Sequence, residues 1–249
     1  MIEVKNLSHW FGDKQVLFDI NVVFESGKTN LVIGSSGHGK TVLMKSMVGL
    51  IKPTKGEVYY DGRPFLSISA KERKLIRREI GMLFQGTALF DYMTVGENVR
   101  FPLDMLTNMS EKEKEERVAY VLERVHLPGI QHMYPSELSG GMRKRVGLAR
   151  AIVHNPKYLF CDEPNSGLDP RTAAAIDDLI YELTKEFGTT TVINTHDLNS
   201  IMAIGEKIVF IYKGHKWWEG DSSTILHADV KELQEFLESS VIIRQLKGK

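Results

Sequence analysis

"LVIGSSGHGKTVLMKSMVGL", residues 31–50, is the stretch of sequence that decides the fold. It begins with the apolar residues 31–33, as a buried strand would, and from residue 43 its apolar side chains recur at helical spacing. Between these parts, Gly34 to Thr41 fit the pattern G-x-x-x-x-G-K-[ST], whose glycines let backbone N–H groups converge on phosphate at a helix N-terminus. A chance glycine loop is the alternative, and the complete pattern with the correct flanks argues against it.

The glycine loop offers ligands for both phosphate and metal. Its residues are Gly34, Ser35, Ser36, Gly37, His38, Gly39, Lys40 and Thr41. We expect Lys40 to reach the β- and γ-phosphates of a nucleotide, and the Thr41 hydroxyl to bind Mg²⁺. The loop therefore predicts a nucleotide site.

Two adjacent carboxylates follow a second apolar stretch. Residues 158–161 lead directly into Asp162 and Glu163. Burying these acids without a partner would be unfavourable, because like charges repel and each group loses hydration. We therefore expect a cation beside them, and the glycine loop indicates that it is Mg²⁺ with a nucleotide. Asp162 would hold the metal directly or through a water, and Glu163 would orient or deprotonate the water that attacks the γ-phosphate.

Two further apolar stretches end in polar side chains. Gln85 follows residues 80–84, and His196 follows residues 191–195. Ligands of open α/β sheets gather at the carboxyl ends of the strands, so we expect both side chains near the phosphates. His196 would contact the γ-phosphate, and Gln85 would sense Mg²⁺ and the attacking water. A lone histidine after a strand is more often a cap or a surface residue. The presence of the glycine loop and of the two carboxylates favours a functional role for His196.

The composition excludes several classes of protein. The chain has 249 residues, with 32 Lys+Arg and 32 Asp+Glu, so no global positive field recruits nucleic acid or anionic lipid. Basic clusters such as residues 71–78 and 143–145 are interpreted as solvated faces. The single cysteine excludes an internal disulfide. The N-terminus lacks the layout of a signal peptide, and no apolar run approaches the roughly 18 residues that span a bilayer. We expect a cytosolic chain that meets a membrane only through a partner.

The order of patterns predicts one α/β domain with an inserted helical lobe. Residues 1–87 and 156–221 would form the nucleotide-binding core, with an antiparallel β part at its N-terminus and a parallel sheet. Residues 88–155 read as helices; one of them starts with a Ser-x-x-Glu capping box at residue 110. Residues 222–249 would form a helical tail.

The sequence resembles the ATP-binding cassette (ABC) family of transport ATPases over nearly the whole chain. The residues Leu138-Ser139-Gly140-Gly141-Met142 are similar to the LSGGQ signature of that family. Taken alone, Ser139 could be a plain N-cap. Placed between the glycine loop and the two carboxylates, the signature is specific.

The resemblance implies a role for each motif. The glycine loop would be the Walker A loop, Gln85 the Q-loop residue, Asp162 and Glu163 the Walker B aspartate and catalytic glutamate, and His196 the switch histidine. The remaining matches are a D-loop at Ser166-Gly167-Leu168-Asp169 and an adenine-stacking aromatic ring at Phe11. Phe11 could instead be a core residue at a strand end, and Asp169 could be an N-cap before Pro170. Two positions depart from the family: Met142 replaces the usual glutamine, and His38, where a smaller residue is usual, is expected to point to solvent.

The resemblance also implies partners and cofactors. In this family Ser139, Gly140, Gly141 and Asp169 of one subunit would complete the site of a second copy, so that two chains sandwich two ATP molecules with Mg²⁺. Without a membrane span of its own, the chain would work with transmembrane permease subunits. Residues 86–103 would belong to the groove that receives a helix from the permease.

The amino-acid sequences of these motifs are most similar to those of ATPase subunits of Mla-type phospholipid transporters. Such transporters work with Mce-type lipid-binding proteins. This likeness includes Met142 and implies phospholipid trafficking, with the chain peripheral on the cytoplasmic face of the inner membrane. Three alternatives stay open. They are the ATPase of an amino-acid-type solute importer, a cassette ATPase acting on nucleic acid, and a nucleotide-binding module without turnover. Zero net charge argues against direct nucleic-acid binding.

Overall fold

A six-stranded sheet lies at the centre of the computed structural model, which describes residues 1–238. Its strand order is β10-β9-β3-β8-β7-β6. The strands are β3 (Thr29–Ile33), β6 (Ile80–Leu83), β7 (Tyr158–Asp162), β8 (Thr190–Thr195), β9 (Lys207–Tyr212) and β10 (His215–Gly220). All neighbours pair in parallel except β9 and β10, which are antiparallel. Every residue of β3, β7 and β8 is buried, as expected for strands covered on both faces.

A smaller antiparallel sheet contains the N-terminal strands in the order β2-β1-β4-β5. These strands are β1 (Ile2–Phe11), β2 (Lys14–Phe24), β4 (Lys55–Tyr60) and β5 (Arg63–Pro64). Strands β4 and β5 form a hairpin through Asp61 and Gly62, whose φ angles are 48° and 76°. Two positive φ angles are typical of the tight turn that Asp-Gly favours.

Residues 1–238 contain eight α-helices, of which seven lie between strands and the last follows β10. They are α1 (Lys40–Met47), α2 (Ala70–Arg77), α3 (Val95–Leu106), α4 (Glu111–Arg124), α5 (Gly140–Ile152), α6 (Pro170–Phe187), α7 (Leu198–Ile204) and α8 (Lys231–Glu238). The predicted capping box is present, since Ser110 and Glu113 cap α4 reciprocally. The predicted α/β fold class is confirmed. The division into core, lobe and tail stays a prediction, and residues 239–249 of the tail lie outside the described residues.

The core has two parts, one on each face of the central sheet. Leu31 and Ile33 of β3 pack into the cluster that contains the apolar faces of α3 to α6, whereas Val32 packs into the cluster formed with β1, β2, β4 and α1. This alternation is the two-residue period of a strand buried on both sides. The helices at 95–152 thus pack on the same face of the sheet as α6.

The interpretation of the two basic clusters as solvated faces holds for most of their basic side chains, which are exposed at positions 71, 74, 77, 78 and 143, but not for Arg73 and Lys144. Arg73 of α2 donates to the carbonyl oxygens of Phe65, Leu66 and Ile68. Lys144 of α5 is only 5% exposed. Both side chains are long enough to bury their stems and still find oxygen partners.

Close packing of β6 against α5 makes Gly81 a sharp test of the fold. A Cβ atom on Gly81 would overlap the carbonyl oxygen of Ala151, which is backbone and cannot rotate away. We expect Gly81→Ala to lower the free energy of unfolding by about 1–3 kcal/mol, measured by urea denaturation. Gly86→Ala is the matched control, because nothing lies within 4 Å of its Cβ position. Equal stability of the two variants would contradict this packing.

Candidate functional site

The glycine loop has a shape that only glycine allows at its key positions. Gly34 has a φ of 140°, and a Cβ there would overlap the carbonyl oxygen of Ile211. Gly39 has a φ of 104° and would crowd the Leu17 side chain at 2.9 Å. Because Gly39 is the N-cap of α1 and carries no side chain, no cap hydrogen bond occupies the first N–H groups of the helix. These donors are therefore available to phosphate.

Lys40 lies inside the loop as a buried cation. Its side chain is 5% exposed, and Nζ donates to the carbonyl oxygens of Gly34 at 2.7 Å and Ser35 at 3.1 Å. Burial lowers the pKa of Lys40, and the nearby carboxylates of Glu163 and Asp162 partly oppose this effect. A desolvated ammonium with only neutral acceptors in contact is well suited to bind an anion.

Asp162 and Thr41, two of the predicted Mg²⁺ ligands, lie next to each other in space. Asp162 is 5% exposed and accepts from Nδ2 of Asn194 at 2.9 Å and from the Thr41 hydroxyl at 3.4 Å. Oδ1 of Asn194 is buried without a hydrogen-bond partner among the described residues. One carboxylate and one hydroxyl fit Mg²⁺, which usually takes one or two protein oxygens and completes its shell with water and substrate phosphate. Within residues 1–238 no cluster of three or more His, Cys, Asp or Glu side chains offers an all-protein metal cage.

Glu163 and His196 form a contact beside this pair. Nδ1 of His196 lies 3.1 Å from Oε1 of Glu163, and the two side chains are 61% and 17% exposed. Glu163 has a φ of 46°, and its N–H donates to the carbonyl oxygen of Asn194 at 3.0 Å. A non-glycine residue held at positive φ right after a buried strand marks a constrained functional position.

A cavity of about 430 Å³ joins these groups. It is lined by Val16, Ser35, Ser36, Gly37, Gly39, Lys40, Thr41, Val42, Gln85, Glu163, His196 and Phe236. Gln85 follows β6 and donates weakly to the hydroxyl of Ser166, with Nε2 and Oγ 3.4 Å apart. The structure thus brings Gln85, Glu163 and His196 together with the loop.

The predicted nucleotide ligands of the signature and the D-loop, Ser139, Gly140, Gly141 and Asp169, lie outside this cavity. Ser139 caps α5 and accepts from the Met142 N–H, and Asp169 caps α6. Gly140 and Gly141 face the start of α6, because Cβ atoms there would contact Leu168, just before the helix, and Thr172, in its first turn. None of these four residues lines the cavity of its own chain.

The predictions for Phe11 and His38 have different outcomes. Phe11 is 52% exposed, stands edge-on to the His9 ring at 4.5 Å and does not line the cavity, so its stacking role stays a prediction. The prediction that His38 points to solvent was wrong. Its ring meets Tyr212 edge-on at 5.1 Å, and burial together with the nearby Lys40 lowers the pKa of His38.

Sequence reasoning missed Lys144. Its Nζ donates to the carbonyl oxygens of Gln85 and Glu163, so it ties α5 to both segments. Burial lowers the pKa of Lys144. The spacing of residues in the sequence could have indicated this burial. Lys144 shares one face of α5 with Gly147, Leu148 and Ala151, at helical spacing, and all four residues are buried.

Comparisons with known proteins agree with this geometry. The sequence profile described as "ABC transporter" matches residues 17–166. "Probable ribonucleotide transport ATP-binding protein mkl" of Mycobacterium leprae is 37% identical over 236 residues, covering 95% of the chain and 68% of that protein. The methionine import ATP-binding protein MetN of Carboxydothermus hydrogenoformans is 42% identical over 223 residues, covering 88% and 66%. The chain thus spans about two thirds of the length of these two relatives.

Other relatives match at nearly full length. The intermembrane phospholipid transport system ATP-binding protein MlaF of Haemophilus influenzae is 35% identical over 238 residues, which cover 96% of the chain and 90% of that protein. The dimeric ABC transporter cassette MJ0796 superposes with a TM-score of 0.82 at 33% identity, covering 89% of the chain and 99% of the cassette. The same cassette in a dimeric post-hydrolysis state with ADP and Pi gives a TM-score of 0.81. The chain therefore belongs to the ABC transporter family and carries the ATPase domain of that family.

Proposed function

We propose that two copies of this chain sandwich two molecules of ATP with Mg²⁺ and hydrolyse them to drive separate membrane subunits. The observation that carries this proposal is the cavity in which the glycine loop, Gln85, Glu163 and His196 meet, while Ser139 stands outside it. The solved cassette MJ0796, which resembles the chain, is a dimer in two structures, one of them a post-hydrolysis state bound to ADP and Pi. A site completed by the signature of a second copy would explain why the signature is absent from its own cavity.

The residues in and beside the cavity would have different roles in ATP hydrolysis. The glycine loop and Lys40 would bind the β- and γ-phosphates, and Thr41, Asp162 and Gln85 would hold Mg²⁺. When bound, Mg²⁺ neutralises charge that develops on the phosphate oxygens. Glu163 would accept a proton from the attacking water, and the 3.1 Å contact with Nδ1 of His196 would fix the orientation of its carboxylate.

An apolar groove beside helix α3 would receive the permease. A cavity of about 510 Å³ lies between β6, α3 and α5, and its apolar wall includes Phe84, Phe90, Phe101, Pro102, Met105 and Leu106. Nearby, the Tyr92 side chain is 75% exposed and that of Met105 is 63% exposed. Exposed large apolar side chains around a groove are typical of a protein-binding surface. Within residues 1–238 no helix is long and apolar enough to cross a bilayer.

For the transported molecule we propose phospholipid, moved between bacterial membranes with an Mce-type lipid-binding protein. The chain would then be peripheral on the cytoplasmic face of the inner membrane. Support comes from Met142 in the signature and from the nearly full-length match to a phospholipid transport ATPase. The 42% identity to a methionine import ATPase favours a solute importer as the second candidate. Zero net charge supports the absence of direct nucleic-acid binding.

Replacing the proposed base tests the catalytic assignment. We expect Glu163→Gln to lower kcat for ATP hydrolysis by about 10²-fold or more, because the amide cannot accept the proton of water. ATP binding should persist, and the ATP-bound dimer should accumulate in size-exclusion chromatography. Turnover of the variant at the normal rate would remove Glu163 from this role.

Arginine in the signature tests whether the site forms between two copies. Ser139→Arg should abolish hydrolysis and ATP-dependent dimerisation by placing bulk and charge at the start of α5. Each chain should still bind nucleotide with a Kd within about threefold of the original, since Ser139 lies outside its own cavity. Ser110→Arg is the control, because it removes an equivalent N-cap from α4 far from the signature. An active Ser139→Arg variant would contradict the shared site.

Copurification tests the transporter assignment. The full chain expressed in its own host should copurify from detergent-solubilised membranes with a multispanning protein and an Mce-type protein, together with phospholipid. Met105→Glu should reduce this recovery at least about tenfold by placing charge in the apolar groove. Tyr181→Glu is the control, being 37% exposed on α6 and outside the groove. Recovery of an amino-acid-type permease instead would favour the solute importer.

A further inference from the structure

A polar cluster of one half-buried and two buried side chains is used by none of the motifs described so far. It consists of Asn165, Asp177 and Ser200, which we call the Asn165–Asp177–Ser200 cluster. Nδ2 of Asn165 donates to Oδ1 of Asp177 at 2.8 Å and to the Ser200 hydroxyl oxygen at 3.0 Å. The Ser200 hydroxyl donates to Oδ2 of Asp177 at 2.7 Å. Each side chain thus contacts both of the others.

The carboxylate in this cluster is unfavourable for stability. Asp177 is 3% exposed and forms no salt bridge with any residue of the described chain. Burial raises the pKa of Asp177 to about 6; the hydrogen bonds from Ser200 and Asn165 oppose this rise, and the charges of Asp197 and Asp178 add to it. Buried charge without a cation usually costs more than an apolar replacement would. Its presence therefore indicates a role other than stability.

The cluster connects the two segments that carry the proposed catalytic pair. Asn165 lies two residues after Glu163, and its carbonyl oxygen accepts from the Leu168 N–H at 3.2 Å. Ser200 lies in α7, whose N-cap Asp197 directly follows His196. Asp177, on the rigid helix α6, holds both segments at once. The Glu163–His196 contact of 3.1 Å is formed between these same two segments.

A negative charge at Asp177 also determines the orientation of the Asn165 amide. An ionised carboxylate only accepts hydrogen bonds, so it requires the NH₂ end of the amide and turns Oδ1 of Asn165 away. That oxygen is buried and has no hydrogen-bond partner among the described residues. A neutral group at position 177 would permit the opposite orientation, in which Oδ1 of Asn165 accepts a hydrogen bond and the present donation from Nδ2 to Asp177 and Ser200 is lost.

We propose that Asp177 is a positioning residue for ATP hydrolysis, which holds the Glu163 segment and the His196 segment in register through Asn165 and Ser200. This role rests on the proposed function of Glu163 and His196. It is separate from nucleotide binding, because Asp177 does not line the cavity of the glycine loop.

The experiment compares Asp177→Asn with Asp178→Asn in the full chain. The first variant is isosteric and removes the buried charge, and the second removes an exposed charge from the next position of α6. We expect Asp177→Asn to lower kcat about tenfold with KM for ATP within about twofold, since small misplacement of reacting groups affects the chemical step. Asp178→Asn should match the original protein in both constants.

Stability separates positioning from an ordinary structural role. The raised pKa means that folding is weakened as pH rises from about 4 through about 6, when the buried group must ionise. At pH 7.5 the Asn variant lacks this penalty, so its Tm should equal or exceed that of the original protein while its kcat falls. A parallel fall of Tm or of nucleotide affinity would overturn the proposal.

The pH profile gives a second readout. The groups that face Asp177 are Asp178, Asp197 and the Cys161 thiol. Protonation of Asp177 should make kcat fall as pH decreases through about 6, and Asp177→Asn should lack this step. Ser200→Ala should move the step to higher pH, because it removes a hydrogen bond that favours the ionised form. Unchanged kcat and pH profile in Asp177→Asn would overturn the proposal.

Glu163→Gln, assayed alongside, keeps the two proposals distinguishable. If the original chain hydrolyses ATP and Glu163→Gln does not, a normal Asp177→Asn variant refutes only the positioning role. If Glu163→Gln hydrolyses ATP normally, the catalytic assignment itself fails, and with it the reason for coupling these segments.

Discussion

The concentration of charge at one end of β7 is the constraint on which the rest of the structure depends. Asp162 and Glu163 are adjacent carboxylates, and two desolvated ammonium groups, Lys40 and Lys144, are influenced by both of them. The carboxylates raise the pKa of each lysine while burial lowers it, so neither kind of charge would be tolerable there without the other. Three segments of the chain, namely the end of β7, the glycine loop and α5, must therefore meet at this end of the sheet.

The backbone geometry around this charge follows from the need for close approach. Gly34 passes directly against the Ile211 carbonyl, and Gly39 leaves the N-terminus of α1 without a side-chain cap. Both features keep side chains out of the space in front of Lys40. The N–H donors and the ammonium then point into one cavity, which is the arrangement that binds a polyanion. The fold supplies the cavity by placing the carboxyl ends of its parallel strands at one edge.

Local patterns predicted the parts of the structure that depend on local physics. The glycine loop and the Ser110 capping box are set by backbone conformation within a few residues, and the sequence identifies them directly. Lys144 and His38 could not be placed in this way, because their burial is decided by segments distant in the chain. The contribution of Phe236 to the cavity has the same cause: its helix α8 begins almost two hundred residues after the glycine loop.

Under the proposed function, the position of Ser139 would make a single chain an incomplete catalyst. Its hydroxyl caps α5 and its neighbours Gly140 and Gly141 pack toward the start of α6, so none of them lines the nucleotide cavity of the same chain. A glycine-rich helix N-terminus without a phosphate of its own is a ready anion site. We infer that the signature serves the nucleotide of a second copy. Nucleotide binding and dimerisation would then be one equilibrium, since each ATP would contribute contacts to both chains. Hydrolysis would then remove those shared contacts, and the separation of the two chains would be a movement that bound permease subunits could follow.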